Sequence, residues 1–158
     1  MARPPVPVRV VVARACFPTG MLGHYTRRLA DAGLVAVLTT TSPPRLAAPG
    51  GGEPLVGTNP ISIAVPSSRG EPVVVDVSPA KETHGDVLAG LATEADVVPF
   101  GGEKAYKAFA LAVGLELLIG SLAGDDAHGA FLLAAQPAYD PVPCLRARAG
   151  GIRLPGDA

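Results

Sequence analysis

The segment most informative for chemistry is a glycine-rich run in the first half of the chain, Gly50-Gly51-Gly52-Glu53-Pro54-Leu55-Val56-Gly57-Thr58-Asn59-Pro60. Glycines let a backbone come close to a ligand and leave N–H groups free to bind phosphate or another anion. Thr58 and Asn59 add short polar side chains to the same segment. A plain turn-rich loop has the same composition, so the segment must be judged from its surroundings.

Three histidines and two cysteines are the other residues whose types could carry out catalysis. His24 and His84 are candidate proton donors, although a lone histidine is more often a surface or packing residue, as is expected for His128 in a turn. Cys16 could act as a nucleophile only as a thiolate, and a buried, unreactive thiol is the alternative. Cys16 and Cys144 make no metal-binding spacing, and no nucleophile elbow or P-loop is present.

Length and composition limit the classes of protein that fit. The 158 residues are enough for one domain with a hydrophobic core, and a net charge of −1 gives no attraction for nucleic acid or anionic membranes. Hydrophobic residues make up 48% of the chain, but no apolar stretch free of glycine and charge is long enough to suggest a membrane span. The apolar surplus predicts a subunit interface, and hence a homo-oligomer, most simply a dimer. The proline-rich N-terminus has no signal-like apolar core, so a cytoplasmic protein is expected.

The elements that must position these residues alternate between strands and helices. β-branched and apolar patterns predict strands at 6–13, 34–39, 61–65, 72–77 and 130–135, and helices at 21–32, 81–92 and 103–122. The first strand-helix-strand unit suggests a parallel pair, whereas the turn at 67–70 predicts a hairpin. The third helix is apolar nearly all round and should be buried, with Gly124 ending it. Residues 42–60 form a long ordered loop, and the tail from Pro137 onward is expected to be irregular.

The order of these motifs resembles the malate/L-lactate dehydrogenase family. The resemblance covers residues 8–137, so the chain is expected to be a single domain, 1–158, with tails at 1–7 and 138–158. The matching segments are the glycine loop with its Gly57-Thr58-Asn59-Pro60 motif, the strands before Pro66 and Asp76, Gly20 to Tyr25, Pro99-Phe100-Gly101-Gly102, Lys107-Ala108-Phe109, Glu116-Leu117-Leu118 and the strand that begins near Phe131.

This resemblance implies a compact α/β form of the malate/L-lactate (sulfolactate) dehydrogenase-like fold, which is not a Rossmann fold. It also implies NADH or NADPH as cofactor and an active site at a dimer interface. The residues that it assigns to the cofactor site are Gly57, Thr58, Asn59, Asp76, Ser78 and Lys107, with Lys104 as an alternative to Lys107. The structural alternatives are a strand-end cap for Asp76 and a solvated first helical turn for the two lysines.

The departures from the family pattern concern the chemistry itself. Arg14 to Gly20 occupies the place of the family's active-site loop, and Pro18 stands where the family has its proton-transferring histidine. Proline has no group that can donate or accept a proton. The family's N-terminal region with a carboxylate-binding arginine has no counterpart, its middle segment is shortened, and Asp86 replaces a lysine after Gly85, which would repel a phosphate.

Two functional hypotheses follow. In the first, the protein is an NAD(P)H-dependent reductase of a small 2-keto acid or cyclic imine, with a proton donor reassigned to His24, His84, Cys16 or water. In the second, the fold has been repurposed for small-molecule binding alone or for non-redox chemistry such as cyclisation, elimination or isomerisation.

Overall fold

Five strands form one sheet in the order β1-β5-β2-β3-β4, and every pairing between neighbours is antiparallel. The computed structural model describes residues 6–124 and 128–157. The strands are β1 (Val8–Ala13), β2 (Val35–Thr40), β3 (Ile61–Val65), β4 (Val73–Val77) and β5 (Ala130–Ala135). The helices are α1 (Leu22–Asp31), α2 (His84–Leu88), α3 (Ala105–Ala123) and α4 (Val142–Ala149). This is an α/β fold, as the sequence predicts.

The predicted parallel pair at the start of the chain is wrong as a hydrogen-bonded pair. β1 and β2 run in the same direction, but β5 lies between them and pairs antiparallel with both. β5 is the last strand in the chain and begins more than 80 residues after β2 ends. No pattern near β1 or β2 therefore indicates that it lies between them. The predicted hairpin is confirmed, because β3 pairs with β4 around the turn that contains Gly70.

Helix α1 covers one face of the sheet through small and hydroxyl-bearing side chains. Thr26 Oγ1 lies 2.7 Å from Ser62 Oγ, which in turn donates a hydrogen bond of 2.7 Å to the carbonyl oxygen of Val75. The predicted helix is confirmed, and within it Thr26 is fully buried while Tyr25 and the preceding Met21 are exposed. The close approach of helix and strand favours small residues over large apolar ones.

Helix α3 has only one buried side. Its buried residues are Ala105, Ala108, Ala112, Leu115, Ile119 and Ala123, whereas Leu117 and Leu122 are exposed, so the expectation of complete burial is wrong. By length and composition alone Gly102–Ala123 could cross a membrane, but a core helix of a soluble protein passes the same test. The stretch contains glycines and charged residues, so it is not the uninterrupted apolar run that the sequence analysis excluded. The helix ends at Gly124, as predicted.

The second predicted helix is shorter in the structure than in the prediction. The helix expected at 81–92 contains only α2, which begins after a capping box of Thr83 and Asp86. The chain turns at Gly90, whose φ of +72° favours glycine.

The C-terminal tail, expected to be irregular, contains α4 and packs against the far edge of the sheet. The Val74 N–H donates to the Pro155 carbonyl at 2.9 Å, and Arg146 pairs with Asp157 at 2.7 Å. These contacts hold the tail beside β4.

The buried hydroxyl bridge between α1 and the sheet gives a stability prediction. Ser62→Ala removes both hydrogen bonds of a fully buried hydroxyl, to Thr26 and to the Val75 carbonyl, so the free energy of unfolding should fall by about 1–3 kcal/mol. Urea unfolding followed by circular dichroism measures the loss. Ser121→Ala, an exposed serine on α3, is the control and should change stability little; an equally small effect of both substitutions would contradict the packing described for α1.

Candidate functional site

A cleft of about 570 Å³ opens where the N-terminus of α1, the end of β4 and the start of α2 meet. Its walls come from five separate segments of the chain. The residues that line it are Phe17, Pro18, Thr19, Gly20, Met21, Leu22, Thr40, Ser42, Thr58, Pro60, Asp76, Val77, Ser78, Thr83, His84, Gly85, Asp86 and Leu88. Three residues of the predicted cofactor site, Thr58, Asp76 and Ser78, are therefore brought together here.

Thr58 is fixed in the cleft wall by its backbone. Its N–H donates to Ser42 Oγ at 3.3 Å, and its carbonyl accepts a hydrogen bond of 3.0 Å from Ser78 Oγ. Ser78 Oγ also accepts from the Ala80 N–H at 3.1 Å. Ser78 thus joins the glycine-loop segment to the end of β4, which places both at one side of the cleft.

Gly57 and Asn59 hold the loop rather than line the cleft. Asn59 is fully buried; its Nδ2 donates to Glu116 Oε2 at 2.7 Å and to the Ala112 carbonyl at 3.0 Å. The Gly57 N–H donates to the same Glu116 oxygen at 3.2 Å. A Cβ on Gly57 would lie 2.5 Å from Asn59 Oδ1 and from the Ser42 carbonyl, so only glycine fits there.

The role of Glu116 was missed by sequence reasoning. The signal that could have found it is its isolation, because Glu116 is the one charged residue between Lys107 and Gly124 on the apolar helix α3. A charge at such a position requires hydrogen-bond partners, and the polar Gly-Thr-Asn motif supplies them.

Asp76 caps the N-terminus of α1. Its Oδ2 accepts a hydrogen bond of 2.6 Å from the Gly23 N–H, where a carboxylate interacts favourably with the helix dipole. The capping role suggested by the sequence therefore applies to a neighbouring helix instead of to the strand's own end. Asp76 still lines the cleft, so the two roles coexist.

Among the candidate catalytic residues, only His84 lines the cleft. Its Nε2 lies 3.2 Å from the Arg45 guanidinium, and its Nδ1 lies 3.7 Å from Glu94 Oε1. Arg45 also pairs with Glu94 at 2.7 Å. Because a guanidinium only donates hydrogen bonds, His84 Nε2 acts as an acceptor in this arrangement.

The other two candidates lie outside the cleft lining. His24 is exposed on α1 and its ring packs edge-to-face against Tyr25, with centroids 5.3 Å apart. Cys16 is half-buried, in partial agreement with the expected buried thiol, and its Sγ donates to the Arg14 carbonyl at 3.4 Å. Neither side chain is among those that face the site.

The charge of the cleft is negative. Asp76 and Asp86 both line it, and hydrogen bonds from the Thr83 side chain and then its backbone hold the pKa of Asp86 below the ordinary range. Lys104 and Lys107 are exposed at the start of α3 and do not line the cleft. Within the described parts of the chain, no lysine or arginine is among the lining residues.

The contacts of Asn59 predict a structural role that can be separated from ligand binding. Asn59→Ala should lower the free energy of unfolding by roughly 1.5–3 kcal/mol, because it removes a hydrogen bond to a carboxylate. Chemical denaturation measures the change.

Two further variants test the cause of that loss. Asn59 has a φ of +35°, which asparagine and glycine accept more readily than alanine, so Asn59→Gly separates backbone strain from the lost amide. We expect Asn59→Ala and Asn59→Gly both to be destabilised. Glu103→Ala, which changes an exposed acidic residue just before α3, is the control and should leave stability unchanged. Wild-type stability in Asn59→Gly would mean that the amide contributes nothing.

Comparison with known proteins gives the same fold over nearly the whole chain. A crystal structure of Δ1-piperideine-2-carboxylate reductase from Pseudomonas syringae superposes with a TM-score of 0.77 and 26% identity, covering 95% of this chain and 60% of that one. Δ1-pyrroline-2-carboxylate reductase from Pseudomonas fluorescens is 31% identical over 139 residues, covering 75% of this chain and 41% of its own length. An NADP(+)-dependent (2R)-3-sulfolactate dehydrogenase from Chromohalobacter salexigens is 42% identical over 69 residues, 44% of this chain and 21% of that one.

The chain thus spans less than half the length of these curated relatives. The family model that describes malate/L-lactate dehydrogenases matches residues 7–91, more than half of the chain. That match contains Pro18, the glycine loop, the β3–β4 hairpin and His84, which are the segments that build the cleft. The chain belongs to the malate/L-lactate dehydrogenase family.

Proposed function

We propose that the cleft binds the nicotinamide end of NADH or NADPH and that the protein reduces a small 2-keto acid or cyclic imine. The observation that carries the proposal is the convergence of Thr58, Asp76 and Ser78 on one cleft. These residues come from the glycine loop and from β4 and its end, and the resemblance to the family assigns all three to the cofactor site. Reductases of cyclic imino acids are among the relatives that share the fold.

The side chains in the cleft fit the uncharged half of the cofactor. Hydroxyl groups of Thr40, Thr58 and Ser78, with the carboxylate of Asp76, supply acceptors and donors for a carboxamide and for ribose hydroxyls. Met21 and Leu88, both exposed, supply apolar surface for a ring. A volume of about 570 Å³ lies in the range of small-molecule sites.

The same residues do not fit the pyrophosphate. Two carboxylates, Asp76 and Asp86, repel phosphate oxygens, and among the described residues that line the cleft none is lysine or arginine. The phosphates and the adenosine half therefore lie outside this cleft. The family resemblance assigns the phosphates to Lys107, or alternatively to Lys104, but both side chains are exposed outside the cleft lining, and a binding experiment decides between the two placements.

Reduction of a carbonyl or imine also needs a proton near the reacting atom. When bound, the reduced nicotinamide supplies the hydride. Pro18 lines the cleft and offers no proton. His84 is the imidazole among the described lining residues, and it can donate from Nε2 only after the contact with Arg45 is released.

A second candidate function rests on Pro18. A cleft with two carboxylates, an imidazole and a proline at the family's donor position also suits acid–base chemistry without a hydride, such as cyclisation, elimination or isomerisation. It equally suits the binding of a small cationic or polar molecule. Failure of the protein to bind either reduced dinucleotide would favour this candidate.

Fluorescence titrations with NADH and with reduced nicotinamide mononucleotide test the proposed placement of the cofactor. If the adenosine half makes few contacts, the two dissociation constants should agree within about tenfold, which is 1.4 kcal/mol. Thr58→Ala should weaken both ligands roughly two- to tenfold through the loss of a neutral hydrogen bond.

Lys107→Ala tests the alternative placement, in which the cofactor phosphates contact the start of α3. The Lys107 side chain lies outside the cleft lining. We expect it to leave both affinities unchanged. NADH binding that is more than a hundredfold tighter than mononucleotide binding, and that is lost in Lys107→Ala, would contradict the proposal and assign the cofactor to the start of α3.

Catalysis by the chain gives a separate prediction. Oxidation of NADH with pyruvate or oxaloacetate should be absent or very weak, and Pro18→His should not restore it. General acid catalysis contributes roughly two to four decades in rate, but none of the described residues that line the cleft is a lysine or arginine that could hold a substrate carboxylate, and orientation contributes at least as much. Robust oxidation by the unmodified protein, followed at 340 nm, would overturn this prediction.

A further inference from the structure

A second cavity, of about 530 Å³, lies at the C-terminal end of α3, and none of its described lining residues lines the cleft. Its walls come from the start of the loop after β2, the C-terminal half of α3 and the segment just before β5. A volume of that size lies in the range of small-molecule sites. The proposed function leaves this cavity unused.

The second cavity lies directly behind the wall of the cleft. Thr40 and Ser42 line the cleft, whereas Thr41 between them lines the second cavity. His128 also lines the cavity, and its ring packs edge-to-face, with centroids 5.8 Å apart, against Phe17 of the cleft. A ligand in the second cavity therefore occupies different space from a ligand in the cleft.

Glu116 presents a carboxylate oxygen to this cavity. Its Oε2 accepts hydrogen bonds from the Gly57 N–H and the Asn59 amide, whereas no described residue donates to its Oε1. This second oxygen is not among the buried polar atoms that lack a partner, so solvent reaches it, and the cavity is the space that Glu116 lines. A charged acceptor in a cavity favours a cationic hydrogen-bond donor.

The end of α3 adds to the negative potential of the cavity. The last carbonyl groups of a helix have no partners within it and carry the negative end of the helix dipole. Gly120, Ser121 and Gly124, in the last turn and at the C-cap, line the cavity. The last turn contains no basic residue, and none of the described lining residues is lysine or arginine. The site therefore favours a positive charge that these residues do not supply.

We propose that the second cavity binds a small organic cation with a primary ammonium group and a short apolar chain. An ammonium group has three donors, one of which pairs with Glu116 Oε1. The hydroxyls of Thr41 and Ser121 and the imidazole of His128 line the same space and can accept the others. Leu117 supplies an apolar wall for the chain of the ligand.

A metal ion fits this cavity less well than an organic cation. The described residues contain no group of three or more histidine, cysteine, aspartate or glutamate side chains that could hold a metal. One carboxylate and one imidazole supply too few ligands to replace the hydration shell of a divalent cation. An organic cation keeps part of its hydration and gains from burial of its apolar chain.

Occupation of the cavity reaches the glycine loop through Glu116. One carboxylate oxygen holds the ligand, while the other holds Gly57 and Asn59. A cation at Oε1 draws charge away from Oε2 and so weakens the hydrogen bond from the Gly57 N–H. The Gly57 amide resonance should therefore move on binding, although Gly57 does not line the cavity.

A ¹H–¹⁵N NMR titration with n-butylammonium at pH 7 tests the proposal without any dinucleotide. We expect saturable shifts at the amides of Gly57, Gly120 and Gly124, with a dissociation constant on the order of 1 mM. Butyrate, which has the opposite charge, and n-butanol, which has none, should both bind at least about tenfold more weakly.

Glu116→Gln separates the charge of Glu116 from its role as an anchor. The glutamine oxygen can still accept from Gly57 and Asn59, but the charge that faces the cavity is lost. The variant should bind n-butylammonium at least about tenfold more weakly. Glu103→Gln, which removes the charge of an exposed residue just before α3, is the matched control and should bind like the wild type.

A second variant blocks the cavity without changing the carboxylate. Ser121→Leu places a large side chain in the wall and should also weaken binding at least about tenfold. Ala110→Leu makes the corresponding small-to-large change at an exposed position of α3 outside the cavity and should bind like the wild type. Circular dichroism checks that each variant is folded, and Ser121→Leu decides the question if Glu116→Gln does not fold.

Four results would overturn the proposal. The first is the absence of saturable shifts up to about 50 mM n-butylammonium, roughly fifty times the expected dissociation constant. The second is n-butanol binding as tightly as the cation, and the third is wild-type affinity in folded Glu116→Gln or Ser121→Leu. The fourth is a set of shifts concentrated at Asp76 and Asp86, which would assign the cation to the cleft. These results leave the proposed cofactor site to be tested separately.

Discussion

The carboxylate of Glu116 is the contact on which the arrangement of the site depends. It lies in the middle of an apolar helix and accepts hydrogen bonds from the Gly57 backbone and the Asn59 amide. Those two contacts, with the Asn59 bond to the Ala112 carbonyl, fix the end of a long proline- and glycine-rich loop against α3. A loop of that length gains little order from its own residues, so a buried polar anchor at its end has a large effect on where it lies.

Once the loop is anchored, the other walls of the cleft follow from short-range contacts. Ser78 ties the end of β4 to the Thr58 carbonyl, and Asp76 on the same strand caps α1. The Thr83–Asp86 capping box begins α2 across from them. The cleft is thus assembled from polar contacts at the ends of elements, where backbone groups lack partners within the element. The negative charge of Asp76 and Asp86 follows from the same capping roles, and in the proposed function it keeps the pyrophosphate of a dinucleotide out of the cleft.

Local patterns predicted the elements but not the way in which they pack. The β3–β4 hairpin and α3 were found because turn residues and apolar runs are local signals. The insertion of β5 between β1 and β2 was not predicted, because strand order depends on contacts between residues that are far apart in the sequence. On α1, helical spacing identified the helix but not that Gly23 and Thr26 are among its buried residues, because a close helix–sheet contact selects small side chains.

The site residues divide in the same way. Family resemblance found Thr58, Asp76 and Ser78, which meet at the cleft, and it also named Gly57 and Asn59, whose contacts anchor the loop. Lys104 and Lys107 match by position along the chain, yet their side chains are exposed at the start of α3 and outside the cleft lining. Position along a sequence cannot distinguish a residue that contacts a ligand from one that supports its neighbour, because both roles impose similar residue types.

The central claim is that the cleft holds the nicotinamide end of the cofactor. Its most direct test is a two-dimensional ¹H–¹⁵N NMR titration of the 158-residue chain with reduced nicotinamide mononucleotide. If the ligand binds in the cleft, the amide shifts should concentrate at Thr58, Asp76, Ser78 and His84. An unchanged spectrum at saturating ligand, or shifts confined to Lys104 and Lys107, would contradict it.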